Sequence, residues 1–259
     1  MNELKRLTEQ MTDSYDIAII GGGPAGSVAG VFLARADFDV LIFDHGRSAL
    51  RKCAFLENYL GFPAGISPTA FRDLLYEHTE SVGCDRLETT VEQISERVDS
   101  GGFRVHSRSE SGDKTHDVRY ILATSWAETE YLSPLGVDTV PEEHPGDVEV
   151  VSTNDDGQTN VDGVYAAGRI TETYHQAIVN AGDGARVARS IVERERPNFY
   201  NDWVVPTGYY DRYGRAVPEG VEEISHEERR DRERRAARKM VEFLVASQSR
   251  SECSSSRSL

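Results

Sequence analysis

One stretch decides the fold: Tyr15-Asp-Ile-Ala-Ile-Ile-Gly-Gly-Gly-Pro-Ala-Gly26. Its first six residues form a short apolar run, which is typical of a strand buried in a parallel sheet. The run stops at Gly21, where the G-x-G-x-x-G spacing of a dinucleotide-binding turn begins. Gly21 permits a tight turn, Gly23 lets a pyrophosphate approach the backbone, and Gly26 lets helix and strand pack closely. The stretch therefore predicts a strand that leads into a phosphate-binding turn.

The residues after the turn complete a β-α-β unit. Small residues from Ser27 to Ala36 predict a helix, and the apolar residues 39–44 predict a second buried strand. The helix N-terminus, at Pro24 and Ala25, would present the free N–H groups of the residues after the proline to a pyrophosphate. Asp44 ends the second strand, where an acid accepts hydrogen bonds from adenosine ribose hydroxyls and repels a 2′-phosphate. A glycine-rich turn with a purely structural role is the alternative.

Further along the chain, the pattern predicts a small antiparallel sheet and more of the parallel one. Residues 87–98 and 103–109 alternate between polar and apolar, as antiparallel strands do. Residues 117–124 and 162–168 predict buried strands, and 174–195 predict a helix. The sequence therefore predicts an α/β fold with a doubly wound parallel sheet and a small antiparallel sheet.

Composition excludes several classes of function. The chain has 259 residues, with 44 Asp and Glu against 29 Lys and Arg, and a net charge of −15. Such a charge repels nucleic-acid phosphates, and no apolar run approaches the roughly 18 residues of a transmembrane helix. No basic segment followed by an apolar one opens the chain, so we expect no secretory signal. Three cysteines, at positions 53, 84 and 253, provide neither a disulfide framework nor a zinc site. We expect a cytoplasmic protein that binds no nucleic acid, membrane or metal.

The charge balance also bears on the solvent to which the chain is adapted. Only four of the basic residues are Lys, and acidic residues are spread along the whole chain. Molar salt would screen the resulting self-repulsion. The composition favours a halophilic protein, and an ordinary acidic protein is the alternative.

Domain organisation follows from changes in composition. We expect an N-terminal segment over residues 1–14 and a nucleotide-binding domain over 15–198. Residues 199–224 are predicted to form an aromatic linker, followed by a charged helical arm over 225–246 that begins with a capping box. Residues 247–259 are rich in Ser and are predicted to be disordered. The arm either lies on its own domain or binds a partner.

The glycine turn alone does not choose between FAD and NAD, and other segments are needed for that choice. Four such segments are Glu57-Asn-Tyr-Leu-Gly-Phe-Pro63, Ile121-Leu-Ala-Thr124, Gly163-Val-Tyr-Ala-Ala-Gly168, and His175-Gln-Ala177 with Ala181-Gly-Asp-Gly184. Together with residues 17–30, these segments resemble segments of the thioredoxin reductase family, in the same order and over about residues 15–196.

The resemblance implies a Rossmann-like fold of the FAD-binding type and a homodimer. It places Asn58 near the flavin, and it places the helix N-terminus at Gln176 against the pyrimidine end of the flavin ring. Reduced flavin is negative there, and a helix N-terminus stabilises negative charge. The implied FAD-binding residues are Gly21, Gly23, Pro24, Ala25, Gly26, Asp44, Asn58, Ala123, Thr124, Gly168, Arg169, Gln176 and Ala177.

Three departures from the family pattern bear on function. Only about 34 residues separate Ser125 from Thr159, where the family carries an inserted nicotinamide-binding domain, and no second glycine-rich turn occurs there. The sequence lacks the C-x-x-C dithiol. Arg169 stands where the family has an Asp that binds the ribityl chain, and Arg cannot accept a hydrogen bond. Ribityl recognition must therefore differ.

Two residues are candidates for catalysis. Cys53 lies between Lys52 and residues that resemble a flavin-site segment, and adjacent cations favour a reactive thiolate. A buried or idle cysteine is the alternative. His175 precedes the late helix, and it could donate a proton to reduced flavin or to substrate. A capping or merely exposed histidine is the alternative.

Two functions from different classes fit this sequence. The first is an FAD-dependent oxidoreductase that receives electrons from a separate donor, a free nicotinamide cofactor or a small-molecule substrate. The second is a non-catalytic flavoprotein with a redox-sensing or scaffolding role. A third option, NAD at the single glycine turn, would make the second flavin-like segment a coincidence.

Overall fold

The computed structural model describes residues 14–46, 48–109, 112–126, 128–141 and 149–255, with side chains up to Ala246. The predicted N-terminal segment 1–14 lies outside the described residues except for Ser14. The chain divides into two units, residues 1–195 and 196–259.

The strands and helices are numbered here in chain order. The strands are β1 (Ser14–Ile20), β2 (Val40–Phe43), β3 (Asp85–Leu87), β4 (Thr90–Glu96), β5 (Phe103–Ser109), β6 (Gly112–Ala123), β7 (Thr139–Pro141), β8 (Glu149–Val151), β9 (Val164–Ala166), β10 (Trp203–Pro206) and β11 (Val221–Ile224). The helices are α1 (Pro24–Ala34), α2 (Pro68–Ser81), α3 (Ala177–Glu195) and α4 (His226–Ser255).

The first unit is built on a seven-stranded sheet in the order β3-β2-β1-β6-β5-β4, with β9 also paired to β6. Strands β3, β2, β1 and β9 belong to the parallel part, and β4 and β5 to the antiparallel part. β6 joins the two parts, because its residues 112–118 pair with β5 while residues 121–123 pair with β9. The predicted α/β fold with a small antiparallel sheet is therefore confirmed.

The prediction found only the second half of β6. Residues 117–124 were predicted as a strand, but pairing with β5 extends β6 back to Gly112. The added residues 112–115 are polar and exposed, so they carry no periodic apolar signal. Pairing between strands, and not burial, makes them extended.

Helices α1 and α3 pack closely because glycines line their contact. A Cβ on Gly184 of α3 would lie 2.1 Å from the backbone oxygen of Ala25 in α1. Gly26, also in α1, packs against the turn after β1 and not against α3: a Cβ there would lie 2.0 Å from the backbone oxygen of Gly21. Backbone atoms cannot move aside as a flexible side chain can, so these two positions require glycine. The contact places the start of α3 beside the glycine turn.

One prediction in the first unit needs correction. The helix predicted over 174–195 begins at Ala177, because the Asn180 side chain bonds to the carbonyls of Tyr174 and Gln176 and holds residues 174–176 in a turn. Between β6 and β9, the described residues include a 3-10 turn over 130–135 and the antiparallel pair β7–β8.

The second unit contains the parallel pair β10–β11 and helix α4. The predicted aromatic linker therefore holds two strands. The predicted cap is confirmed, because the Ser225 hydroxyl accepts a hydrogen bond from the Glu228 backbone N–H at 3.1 Å. The helix continues to Ser255, past the predicted end of the charged arm at residue 246. No Gly or Pro occurs between His226 and Ser255 to end it.

The helices were also compared with the dimensions of a bilayer. Within the described part of the chain, none combines the length and apolar character that crossing a membrane requires.

Candidate functional site

A cavity of about 530 Å³ opens in the first unit. Its walls come from elements that the sheet brings together: the glycine turn after β1, the ends of β2 and β6, the 3-10 turn over 49–52, and the residues around the start of α3. In parallel sheets ligands bind at the carboxyl ends of the strands. The cavity therefore lies where the sequence predicted a nucleotide site.

The glycine turn forms a cradle that is closed on the protein side and open on the other. Gly21 has a φ of +115°, and a Cβ there would lie 2.6 Å from the backbone oxygen of Thr124. By contrast, among the described residues no atom beyond Gly23 and its two chain neighbours lies within 4 Å of a Cβ placed on Gly23. The Ser27 hydroxyl fixes the turn by donating to the Gly22 oxygen at 3.0 Å. The open side at Gly23 is where a pyrophosphate could approach the backbone.

Asp44 lines the cavity, but its carboxylate already holds three donors. Its Oδ1 accepts a hydrogen bond from the Gly46 backbone N–H at 2.8 Å, and its Oδ2 accepts one from the Tyr76 hydroxyl at 2.5 Å. The Arg86 guanidinium also pairs with Oδ2 and stacks on the Tyr76 ring, with its central carbon 3.2 Å from the ring centroid. Burial, followed by the Asp44 carboxylate, raises the pKa of the Tyr76 hydroxyl.

This arrangement corrects the predicted electrostatics of the adenosine end. Asp44 was expected to repel a 2′-phosphate by its charge, but Arg86, whose side chain is mostly buried, pairs with Asp44 and offsets that charge. No role was predicted for Arg86 or Tyr76. They lie 42 and 32 residues after Asp44, and neither position carries a motif.

Cys53 lines the cavity beside Lys52. The thiol is partly buried, and it donates a hydrogen bond to the Phe55 carbonyl at 3.0 Å. The other described cysteine, Cys84, is buried in the core, where burial raises its pKa to about 12. Cys53 is therefore the cysteine that the structure places at the cavity.

Trp126 and His175 form a ring pair on the cavity wall. Their centroids lie 4.3 Å apart at an interplanar angle of 80°, and the Lys52 ammonium is 6.0 Å from the Trp126 ring centre. His175 precedes the late helix, as the sequence predicts: it lies two residues before the first residue of α3. No role was predicted for Trp126, because a tryptophan after a strand carries no motif.

Asn180 and Asp183 organise the start of α3. The Asn180 Nδ2 donates to the carbonyls of Tyr174 and Gln176, which leaves its buried Oδ1 without a partner among the described residues. Asp183 accepts a hydrogen bond from the Gly168 backbone N–H at 2.7 Å. The site thus has an acceptor amide, Asn180, on the cavity wall, although the family's ribityl-binding Asp is replaced by Arg169.

The predicted site residues separate into two groups. Eleven line the cavity: Gly21, Gly23, Pro24, Ala25, Asp44, Cys53, Thr124, Arg169, His175, Gln176 and Ala177. Four are not part of its lining: Gly26, Asn58, Ala123 and Gly168. Asn58 stands next to the wall, since its amide donates to the Gln176 side-chain oxygen at 2.7 Å. No group of three His, Cys, Asp or Glu side chains within the described ranges is arranged to hold a metal ion.

Comparison with known proteins supports the assignment of the nucleotide fold. Residues 19–73 match the family model of an NAD(P)-binding Rossmann-like domain. The chain is 32% identical to a thioredoxin reductase of Listeria monocytogenes over 124 residues, which is 47% of this chain and 37% of that protein. It is 27% identical to a thioredoxin reductase of Bacillus subtilis over 173 residues, which is 66% of this chain and 48% of that protein. The chain thus spans less than half the length of these relatives.

Solved structures show the same fold. A thioredoxin reductase from Gloeobacter violaceus superposes with a TM-score of 0.55 at 17% identity, covering 70% of this chain and 95% of that one. An oxidoreductase from Agrobacterium tumefaciens gives a TM-score of 0.59 at 14% identity, covering 71% and 99%. The predicted resemblance is confirmed: the chain is thioredoxin-reductase-like in sequence and in fold.

Proposed function

We propose that this chain is an FAD-binding oxidoreductase whose electrons come from a separate donor or from a free nicotinamide cofactor. The observation that carries the proposal is this cavity, because it joins the glycine turn to the start of α3. An adenine dinucleotide needs a backbone cradle for its pyrophosphate and a polar wall along the rest of its length.

The residues present fit an FAD. The open side of Gly23 and the N-terminus of α1 would hold the pyrophosphate. The unpaired Oδ1 of Asn180 is a buried acceptor that a ligand hydroxyl could satisfy after a small adjustment of the wall. Asp44 keeps acceptor capacity for a ribose hydroxyl, since a carboxylate offers about four lone-pair sites and three are used. When bound, FAD would supply two-electron chemistry.

The protein's own groups favour negative charge at one part of the cavity. Helix α3 has 19 residues, and its N-terminus carries the partial positive charge of the helix dipole. The Lys52 ammonium lines the same cavity. Both groups would stabilise the charge that an electron-accepting ring gains on reduction. His175, in contact with Trp126, is the candidate to hold a proton there, and Cys53 is the candidate nucleophile.

The source of the electrons follows from what the chain lacks between β6 and β9. About 34 residues separate Ser125 from Thr159, and their described part holds one 3-10 turn and the β7–β8 pair. A nicotinamide-binding domain requires a far longer segment. Reducing equivalents would therefore reach the cavity from another molecule.

The test is spectroscopic. Protein purified in multimolar KCl is incubated with FAD, separated from free FAD, and scanned for a bound flavin spectrum. The loaded protein is then titrated anaerobically with NADH, NADPH and reduced ferredoxin. Bleaching of the flavin band by at least one donor is expected. A protein that retains no FAD, while remaining folded by circular dichroism, would refute the proposal.

A non-catalytic flavoprotein with a redox-sensing or scaffolding role is the second candidate. It is favoured by the lack of a C-x-x-C pair among the three cysteines of the sequence. In that case the protein binds FAD, dithionite bleaches it, and none of the biological donors does. Preferential binding of NAD⁺ over FAD would instead indicate an NAD site at the glycine turn.

We further propose a cytoplasmic homodimer adapted to high salt. Flavin domains of the family that this chain resembles pair in this way, and the acidic composition favours the salt adaptation. Light scattering in KCl would give the mass of the assembly. A monomeric mass at all protein concentrations would remove the dimer from the proposal.

A further inference from the structure

Trp126 lines the cavity in a backbone conformation that few side chains adopt. Its φ is +66°, in the left-handed region, where a bulky residue is an outlier. Such strain is unfavourable, and it persists where surrounding contacts fix the backbone. Strained residues of this kind are concentrated at ligand sites, so the conformation of Trp126 calls for a reason.

The contacts before and after Trp126 hold it in this conformation. On the preceding side, the Thr124 hydroxyl donates to the carbonyl of Ile20 at 3.0 Å, which ties the end of β6 to β1. The Ser125 hydroxyl links the backbone to residues after Trp126: it donates to the Glu128 carbonyl at 2.8 Å and lies 2.8 Å from the Tyr131 hydroxyl. The backbone must therefore turn sharply at Trp126, and the turn places the indole on the cavity wall.

The indole itself is held by side chains of the same cavity. The ring of His175 meets it edge to face, and the Lys52 ammonium lies over it. The ring is only partly buried, so apolar aromatic surface remains available to a ligand. Edge-to-face partners fix the ring orientation before any ligand arrives, which lowers the cost of binding.

Two other parts of the cavity are suited to the phosphate and ribose groups of a dinucleotide. The glycine turn suits a pyrophosphate, and Asp44 suits the adenosine ribose. The planar ring of a dinucleotide remains, and the wall of Lys52, Trp126 and His175 is suited to it. We propose that Trp126 contacts the flavin ring and covers part of it. This inference rests on the proposed binding of FAD, and it assigns to Trp126 a role in ring binding.

The sequence supplies its own control for the test. It contains two tryptophans, Trp126 and Trp203, and Trp203 is not part of the cavity lining. Three variants are compared with the wild type: Trp126→Leu, Trp126→Phe and Trp203→Leu. Each is loaded with FAD in KCl, and flavin fluorescence and FAD affinity are measured.

Indole in contact with a flavin quenches its fluorescence by electron transfer. We therefore expect dim flavin in the wild type and in Trp203→Leu, and severalfold brighter flavin in Trp126→Leu. Loss of the ring contact should weaken FAD binding by about 2- to 10-fold, the range of aromatic pair energies. Trp126→Phe should keep most of the affinity while the flavin brightens, because phenyl stacks but is a poor electron donor.

The outcomes separate this inference from the proposed function. If the wild type binds FAD and Trp126→Leu matches Trp203→Leu in brightness and affinity, the role of Trp126 is refuted and FAD binding stands. If Trp126→Leu fails to fold, Trp126→Phe decides, and unchanged quenching in that variant overturns the inference. If the wild type binds no FAD, both the proposed function and the inference fail.

Discussion

Replacing Arg86 by Leu tests how strongly its pair with Asp44 stabilises the fold at the adenosine end of the site. The Asp44 side chain is 6% exposed and that of Arg86 is 12% exposed, so water screens neither strongly. Removing one partner of a buried ion pair costs about 3–5 kcal/mol, because the other charge stays buried alone. Asp44 keeps two donors, from Gly46 and Tyr76. We therefore expect Arg86→Leu to lower the free energy of unfolding by about 3 kcal/mol, the low end of that range.

A double-mutant cycle separates the pair from the individual side chains. Asp44→Asn leaves the Arg86 guanidinium buried without a counter-charge, so it should be destabilising as well. The double variant removes both charges, and it should lose less stability than the sum of the single variants, by about 1–3 kcal/mol. An additive result would show that the two side chains act independently.

The assay is urea unfolding followed by circular dichroism in KCl. Arg108→Leu serves as the matched control, because Arg108 pairs with Asp113 at 3.0 Å while 60% and 72% of these side chains are exposed. An exposed pair contributes about 0–1 kcal/mol, so the control should unfold nearly as the wild type does. A loss below about 1 kcal/mol for Arg86→Leu, equal to the control, would refute the reasoning from burial.

Four further predictions follow from the structure. Gly26→Ala places a Cβ 2.0 Å from the Gly21 oxygen. We therefore expect FAD affinity, measured by titration, to fall more than about tenfold, and the free energy of unfolding to fall by about 1–3 kcal/mol. Unchanged binding would contradict the close packing of the turn. Burial raises the pKa of Cys84 from 9.0 to about 12. Below pH 9 the thiol is protonated in both the folded and the unfolded state, so its contribution to stability does not change with pH. Stability declines as pH rises from 9 to 12, because the unfolded state ionises first; Cys84→Ala should flatten the curve in that window. Cys53 lines the cavity, so bound FAD should slow the alkylation of its thiol. The rates with and without FAD are compared by mass spectrometry in a Cys253→Ser variant. With a net charge of −15, the melting temperature should rise steeply with KCl, and a flat response would refute the salt adaptation.

The glycine turn could be predicted from sequence because its requirements are local. A sharp turn at Gly21 and a close packing contact at Gly26 each restrict a position to glycine, and both follow a buried strand within Tyr15–Gly26. Each requirement involves backbone atoms near in sequence, together with one contact to Thr124. The same reasoning found the capping box at Ser225, where donor and acceptor are three residues apart.

The electrostatics of the adenosine end could not be predicted in this way. Asp44 was recognised from its place at the end of β2, but the effect of its charge on a bound ligand depends on the side chains packed against it. Arg86 comes from β3 and Tyr76 from α2, and only the pairing of β3 with β2 brings Arg86 to Asp44. No periodicity or spacing in the sequence specifies that pairing in advance.

The conformation of Trp126, on the cavity wall near His175, could not be predicted from sequence either. Its left-handed backbone depends on the bonds that Thr124 and Ser125 make to β1 and to the 3-10 turn that follows. A sequence in which a bulky residue follows a strand favours extended backbone there, which would direct the indole elsewhere. The tertiary bonds override that preference, and the strain they impose puts an aromatic ring on the wall of the nucleotide cavity. A residue without a motif can therefore be as important to ring binding as the glycines are to phosphate binding, and the fluorescence of bound flavin is the measurement most sensitive to it.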